Sequence, residues 1–301
     1  MGMPASKLIK FKSSDCSSGY GKPPWIFRGK ALYQLHLVKA DIARAFIPKE
    51  FKLVEAFGYT LGGLFLANYE DSPAGTFDEL VVIAGTVWNP PTSCAWAARV
   101  LVDSKEACSH GRKEVGLPSQ VAKFSKKVTA ISKAPKSKIS RILEKIGMSD
   151  DSYSQKNQMD IHVSEITGQK PMDLCNISLA PVTNSHQWMG PLIKLSLPSF
   201  SGRTKYNPHL MKYSCQIECR VRAVRPAKVM VPSTFSSKDV ESSKLEDSGK
   251  VCMVDEAQED DRNLSLSVLL SKPIFALEFN CLKMRVEAPS VISNTEPFPS
   301  Y

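Results

Sequence analysis

The stretch Met211, Lys212, Tyr213, Ser214, Cys215, Gln216, Ile217, Glu218, Cys219, Arg220, Val221, Arg222, Ala223 changes face at every step, setting Met, Tyr, Cys, Ile and Val against Lys, Ser, Gln, Glu and Arg. A period of two puts successive side chains on opposite sides of an extended chain, so this is a β-strand with one face in a core and one in water. Cys215 and Cys219 share the buried face, about 13 Å apart along a strand and beyond the roughly 7 Å reach of a disulfide. They read as small core residues. The remaining cysteines (Cys16, Cys94, Cys108, Cys175, Cys252, Cys281) show no paired spacing, and no apolar leader precedes them, which points to a reducing, intracellular setting.

Outward from this strand the same alternation recurs over Lys30 to Val38, Gly58 to Tyr69, Phe77 to Trp88, Ser93 to Val102, Gln158 to Ile166, Met172 to Leu179 and Pro273 to Val286. Turn residues such as Asp71 to Gly75 and Asn89 to Pro91 separate several of them. Two short helices interrupt the pattern. One runs from Ile42 to Phe46 behind an Asp41 cap, and one from Lys138 to Ile146, where Ile139, Ile142, Leu143 and Ile146 fall on one face and Gly147 supplies a stop. The predicted fold is α+β, mostly antiparallel β, with a few short helices. Residues 1–22 read as a flexible arm, 23–287 as a single domain and 288–301 as a tail. Within the domain, the Ser, Asp and Glu composition of 232–262 predicts an acidic flexible insert.

Composition removes whole classes of function. With 43% apolar and 23% charged residues in 301, the chain is an ordinary globular protein, large enough to bury about three quarters of its surface. Its longest apolar stretch, Leu80 to Trp88, is about half of the roughly 20 residues a membrane helix needs, so no transmembrane helix is expected. The net charge of +9 is concentrated between Lys123 and Lys145, where eight basic residues face the single acid Glu144. That run carries one aromatic and no nucleic-acid motif, so it reads as a solvated face and no nucleic-acid partner is expected. The five histidines lack metal-ligand spacing, and neither GxxxxGK[ST], GxGxxG nor GxSxG occurs. No metal, no cofactor and no serine-hydrolase elbow are predicted.

One segment is not exhausted by packing: Gly111, Arg112, Lys113, Glu114, Val115, Gly116, Leu117, Pro118, Ser119, Gln120. It resembles the glycine, arginine, glutamate and proline element that acetoacetate decarboxylases carry just before two lysines. Leu32 to Phe51 resembles that family's first strand and helix, Phe77-Asp78-Glu79 its strand bearing a buried glutamate, and His186 to Pro191, with Trp188, its tryptophan, glycine, proline strand entry. The resemblance covers about Pro24 to Val231. It implies an acetoacetate decarboxylase-like β-barrel with a ligand pocket at Glu79, Arg112, Glu114, Pro118, Gln120 and Trp188. Ser119 and Gln120 stand where the family has its lysine pair. Neither side chain can form an iminium, so Schiff-base decarboxylation is expected to be lost. Lys126 and Lys127 lie about 20 Å further along an extended strand and are poor replacements.

Glu79 reads either as a strand-end carboxylate in water or as a buried acid facing the pocket. Arg112 and Glu114 form a surface ion pair or line the pocket mouth, and Trp188 is core or a stacking platform. No catalytic residue is assigned beyond the candidates Glu79 and Arg112. A closer resemblance, through Pro24 to Phe27, Ala31 to Val38, Phe46 to Phe51, Gly58 to Leu64 and Thr92 to Val100, is to a plant family of carotenoid metabolism. It implies a non-decarboxylating accessory or binding role in forming neoxanthin and hence abscisic acid. The alternative it leaves is an enzyme using the same pocket. The expected partner is an apolar or carboxylated small molecule, carotenoid-related, and a homo-oligomer is compatible with the sequence. Met1-Gly2-Met3-Pro4-Ala5-Ser6, followed by Lys7, Lys10 and Lys12, fits a myristoylation pattern at Gly2 with weak, reversible membrane association, or a short plastid-directing arm, leaving plastid and cytoplasm both open.

Overall fold

Residues 20–131, 156–167, 170–182, 189–231 and 253–292 are described by a computed structural model. The arm with Gly2, the helix expected at Lys138 to Ile146 and Trp188 lie outside the described residues. The first strand, β1 (Trp25–Lys39), leads into α1 (Ala40–Phe46), the two-residue β2 (Glu55–Ala56), then β3 (Tyr59–Asp71), β4 (Phe77–Asn89) and β5 (Thr92–Val102). After α2 (Lys105–His110) come β6 (Ser119–Ile131), β7 (Lys156–Thr167), β8 (Lys170–Val182), β9 (Leu192–Gly202), β10 (Leu210–Val224) and β11 (Lys228–Met230). Helix α3 (Met253–Leu269), β12 (Lys272–Val286) and β13 (Ser290–Val291) complete the described chain.

The mostly antiparallel barrel read from the sequence is what the strands build. β5, β4, β3, β1, β12 and β10 pair antiparallel in that order, and β9 pairs with β10 on one side and β5 on the other, so seven strands return to their start. Each of the seven strands is thus paired on both sides, β5 and β9 through two residue pairs. β6, β7, β8 and β11 form a second sheet that leaves the barrel where β6 meets β5. Two pairings are parallel, Val100 to Val102 with Ser119 to Val121 and Ala95-Trp96 with Ser199-Phe200. Parallel neighbours need a crossover between them; α2 and the turn after it provide one between β5 and β6, and it has no alternating signature by which to be read.

Two apolar layers result. One fills the barrel, with Phe27, Phe65, Tyr69, Phe77 and Phe279; the other lies between the barrel's outer wall, the second sheet and the last turns of α3, with Leu64, Leu80, Leu101, Leu174, Ile177 and Leu269. Helix α3 begins at Met253 and so occupies the end of the stretch expected to be a flexible insert. Acidic residues dominate its first half, but Leu266, Val268 and Leu269 are buried, and it is this apolar end that holds the helix. At α1 the expected cap also differs. Asp41 lies inside the first turn and accepts from Arg44, while the N-cap residue Lys39 makes no side-chain capping bond.

Polar groups join the two layers. Arg99 of β5 and Glu165 of β7, both nearly solvent-free, form an ion pair, and Arg99 Nη2 also donates to Gln120 Oε1 at 3.0 Å. The Gln34 amide holds both backbone polar groups of Ala227, at 2.7 and 3.1 Å, and also meets His36 Nε2 at 2.8 Å. Burial lowers the His36 pKa, so the ring is neutral. A neutral ring with its proton on Nδ1 donates to Val268 O and accepts from Gln34.

A buried ion pair is costly to break from one side, because the remaining charge has no partner. Arg99→Met is expected to lower unfolding free energy by about 3–5 kcal/mol in urea titrations. Arg99→Met combined with Glu165→Met should recover most of that loss, and a double variant no more stable than the single one would refute the pairing as the cause.

Candidate functional site

Alternation along β3 and β4 aims Phe65, Tyr69, Phe77, Glu79 and Val81 into the barrel, and their neighbours Leu64, Leu66, Leu80 and Val82 into the outer layer. The barrel interior encloses a cavity of about 350 Å³. Its wall is rich in aromatic rings, including Trp25, Phe27, Tyr33 and Tyr213. One side comes from the crossover. Ser104 caps α2 by accepting from Ala107 N at 3.1 Å, and the helix runs on as a π-helical turn over Gly111–Val115. Gly116 ends that turn at φ 69°, where a Cβ would collide with Met211 and with the backbone of Gly202, so glycine is required. The crossover brings His110, Gly111 and Val115 to the cavity and delivers Ser119 as the first residue of β6.

Charge inside this room is scarce. No lysine or arginine is among the described residues that line it. Glu79 Oε2 accepts from the Tyr69 hydroxyl at 2.8 Å. Burial raises the Glu79 carboxyl to about 7, and the Tyr69 bond offsets only part of that rise. Burial likewise raises the phenols of Tyr20, Tyr69 and Tyr213 and pushes the Cys215 thiol up to about 12, with the charge of Glu79 adding to each. His110 goes the other way, its ring pulled down to about 4 by burial and therefore neutral. It stacks on Tyr20 with ring centres 3.5 Å apart and meets the edge of Trp25 at 4.4 Å, while its Nε2 is buried with no hydrogen-bond partner.

Among the described lining residues, then, one group exchanges a proton near neutral pH, Glu79, and one buried nitrogen, His110 Nε2, has no hydrogen-bond partner. Ser119 has no imidazole bonded to its hydroxyl among the described contacts, and the phenols and thiol stay protonated, so no activated nucleophile is present among the described lining residues. Among the described residues no group of three His, Cys, Asp or Glu is placed to hold a metal ion.

The structure separates the residues expected at the pocket. Glu79 and Ser119 face the cavity, Ser119 with 1% of its surface exposed. Gln120, one step further along β6, points to the opposite side and bonds Arg99. Arg112 and Glu114 pair neither with each other nor with the cavity. Arg112 Nε donates to Ser119 O at 2.7 Å, its guanidinium lies 4.0 Å over the Tyr206 ring, and Glu114 is exposed. Pro118 contributes its carbonyl to Val100 N rather than a wall. Lys126 is held outside the barrel by Asp78 at 2.6 Å. Sequence reading missed His110, Tyr69 and Tyr20. Tyr69 had a signal, since a hairpin between β3 and β4 around the Asp71 to Gly75 turn puts it diagonally across from Glu79 on the same face.

No protein-family model matches the chain. It is 65% identical over 290 residues to Protein NEOXANTHIN-DEFICIENT 1 of Solanum lycopersicum, covering 95% of this chain and 98% of that one. The namesakes of Arabidopsis thaliana and Oryza sativa subsp. japonica are 59% and 57% identical over 92% and 93% of this chain, covering 96% and 93% of those proteins. The chain belongs to the NEOXANTHIN-DEFICIENT 1 family. Solved structures add the fold. The enduracididine biosynthesis enzyme MppR with pyruvate superposes with a TM-score of 0.53 at 13% identity, covering 98% of this chain and 100% of that one. An acetoacetate decarboxylase-like enzyme from Sphingomonas wittichii RW1 gives 0.52 at 10% identity, over 96% and 100% of the two chains. A structure of acetoacetate decarboxylase gives 0.50 at 10% identity, over 92% and 93%. This NEOXANTHIN-DEFICIENT 1 family member therefore has the acetoacetate decarboxylase-like fold.

A carboxyl whose pKa rises on folding makes the folded state hold its proton longer than the unfolded chain does. Its contribution to stability therefore falls as pH rises from about 4.5 to about 7 and is constant beyond. Glu79→Gln is expected to remove that fall, stabilising the protein at pH 8 by up to about 3 kcal/mol while leaving it unchanged at pH 4. Tyr69→Phe, which deletes the bond favouring the carboxylate, should move the Glu79 midpoint upward in carboxyl infrared or carbon NMR titration. A midpoint unmoved by Tyr69→Phe would show that the hydroxyl does not hold the carboxylate.

Proposed function

We propose that this protein serves neoxanthin formation, and through it abscisic acid supply, as a non-decarboxylating binding protein whose barrel takes a neutral, largely apolar, oxygenated small molecule. The names of the plant relatives support the pathway. The observation that carries the mechanism is a cavity lined by aromatic and aliphatic side chains, with no lysine or arginine among the described residues of its wall. A ligand carboxylate entering it would meet no counter-charge and would face Glu79, an arrangement that costs several kcal/mol per ion. A hydroxyl, ether or carbonyl fits better, with protonated Glu79 as a donor. The expectation of an apolar or carboxylated ligand narrows to the neutral member of that pair.

Size restricts the fit further. At about 350 Å³ the cavity stands at the lower end of the roughly 300–1,000 Å³ span of small-molecule sites. That suits one oxygenated six-membered ring end of a carotenoid and not a whole polyene. The described cavity wall offers no amine for a Schiff base: Ser119 stands where the family-like segment would carry a lysine, and Lys126 is tied outside.

Trp25 lines the cavity, so its fluorescence reports occupancy. β-Ionone is expected to quench it at pH 6, where Glu79 holds its proton, at least tenfold more tightly than β-cyclogeranic acid, the carboxylate of the same ring, and Ala95→Trp should abolish quenching by both. Borohydride with acetoacetate should leave the protein mass unchanged. Equal or tighter binding of the carboxylate, or a reduced lysine adduct, would overturn the reading in favour of an enzyme acting on a keto acid.

A further inference from the structure

The barrel wall is hollowed on its outer side as well. Next to Tyr69 and Glu79, which face the inner cavity, Asn68 and Asp78 face outward and border a second cleft of about 240 Å³ between the barrel and the second sheet. Its interior is apolar, with Leu32 and Leu66 from the barrel and Phe124, Met159, Ile161 and Leu179 from β6, β7 and β8. Its charged residues are Lys30, Lys126, Arg222 and Arg225 against Asp78 and Glu278.

Both acids are already satisfied. Asp78 Oδ1 accepts from Lys126 Nζ at 2.6 Å and from Asn68 Nδ2 at 2.9 Å, and Glu278 Oε2 accepts from Arg222 Nε at 2.5 Å. Lys30 and Arg225 are exposed and have no carboxylate within ion-pair distance among the described residues, which leaves two positive charges over an apolar slot. Arg225 sits at a fixed place, because the buried Gln34 amide grips Ala227 two residues later through both its N–H and its carbonyl.

The two features select together. A small hydrophilic anion makes no use of the slot, a neutral oil makes no use of the cations, and a cationic amphiphile is repelled. A molecule with an aliphatic tail and an anionic head uses both, burying the tail at about 25 cal/mol per Å² of apolar surface while an arginine offers its head a two-pronged contact. We propose that this outer cleft is a second binding site, independent of the barrel cavity, for a free amphipathic carboxylate of medium chain length, with its tail among Leu32, Phe124 and Met159 and its head at Lys30 and Arg225.

The test is calorimetric titration of the full-length protein with decanoate below its micelle concentration and, separately, with decanol below its solubility limit. Decanoate is expected to bind with one site per chain and at least tenfold more tightly than decanol. Lys30→Glu with Arg225→Glu, both exposed, should weaken decanoate at least tenfold with the melting temperature unchanged, and Met159→Trp should weaken it by filling the slot. Ala95→Trp, which blocks the barrel, should leave decanoate binding intact, so the two sites stand or fall separately. Equal affinity for decanol, indifference to the charge reversal, loss of decanoate in Ala95→Trp, or capture only by phosphatidic acid vesicles without decanoate binding would each overturn the proposal.

Discussion

The double pairing of β9, antiparallel to β10 and parallel to β5, is the constraint on which the rest depends. Without it the run from β5 to β10 is a six-stranded open sheet with one face for the core, and Glu79 sits on a surface. With it, the inner face becomes the inside of a barrel, and Tyr69, Glu79, His110 and Tyr213 are withdrawn from bulk water. The raised Glu79 carboxyl, the lowered His110 ring and the raised phenols and thiol share desolvation as their largest cause. The chemistry of the cavity thus follows from a backbone connection more than from any single charged contact.

Much of the fold was legible because period-two alternation is a local property. The strands read from Lys30, Gly58, Phe77, Ser93, Met211 and Pro273 reach the same ends as the observed ones to within five residues. What alternation cannot show is who pairs with whom across distance. The parallel bridges, the closure by β9 and the π-helical turn are set by tertiary packing, and short parallel pairings leave no trace in composition. The α3 helix was hidden for a related reason, since its Asp and Glu residues look like a solvated insert until the buried end at Leu266 to Leu269 is seen.

For the site, the family-like segment runs from the crossover into β6, and the two residues at its end take opposite sides of the sheet. Ser119 and Gln120 are consecutive on a strand, so only one of them can face the cavity, and it is Ser119. Arg112 serves the same turn from outside, through the Ser119 carbonyl and the Tyr206 ring. His110 could not be singled out, because a lone histidine before a glycine has no spacing partner; its role rests on where Tyr20 and Trp25 place its ring.

The replacement at 119 then changes more than a nucleophile. A lysine amine reaching into this cavity would favour the carboxylate of Glu79 and would itself be held charged or neutral by the balance between that partner and desolvation. With serine there, Glu79 faces desolvation with only the Tyr69 hydroxyl to help its anion, and its carboxyl moves to about 7. Serine at 119 brings neither an amine nor a positive charge to the described cavity wall, and Glu79 stands there as a proton-exchanging acid beside apolar side chains. In the binding role proposed above, the absence of a Schiff-base amine and the preference for an uncharged oxygenated guest would both follow from that one side chain.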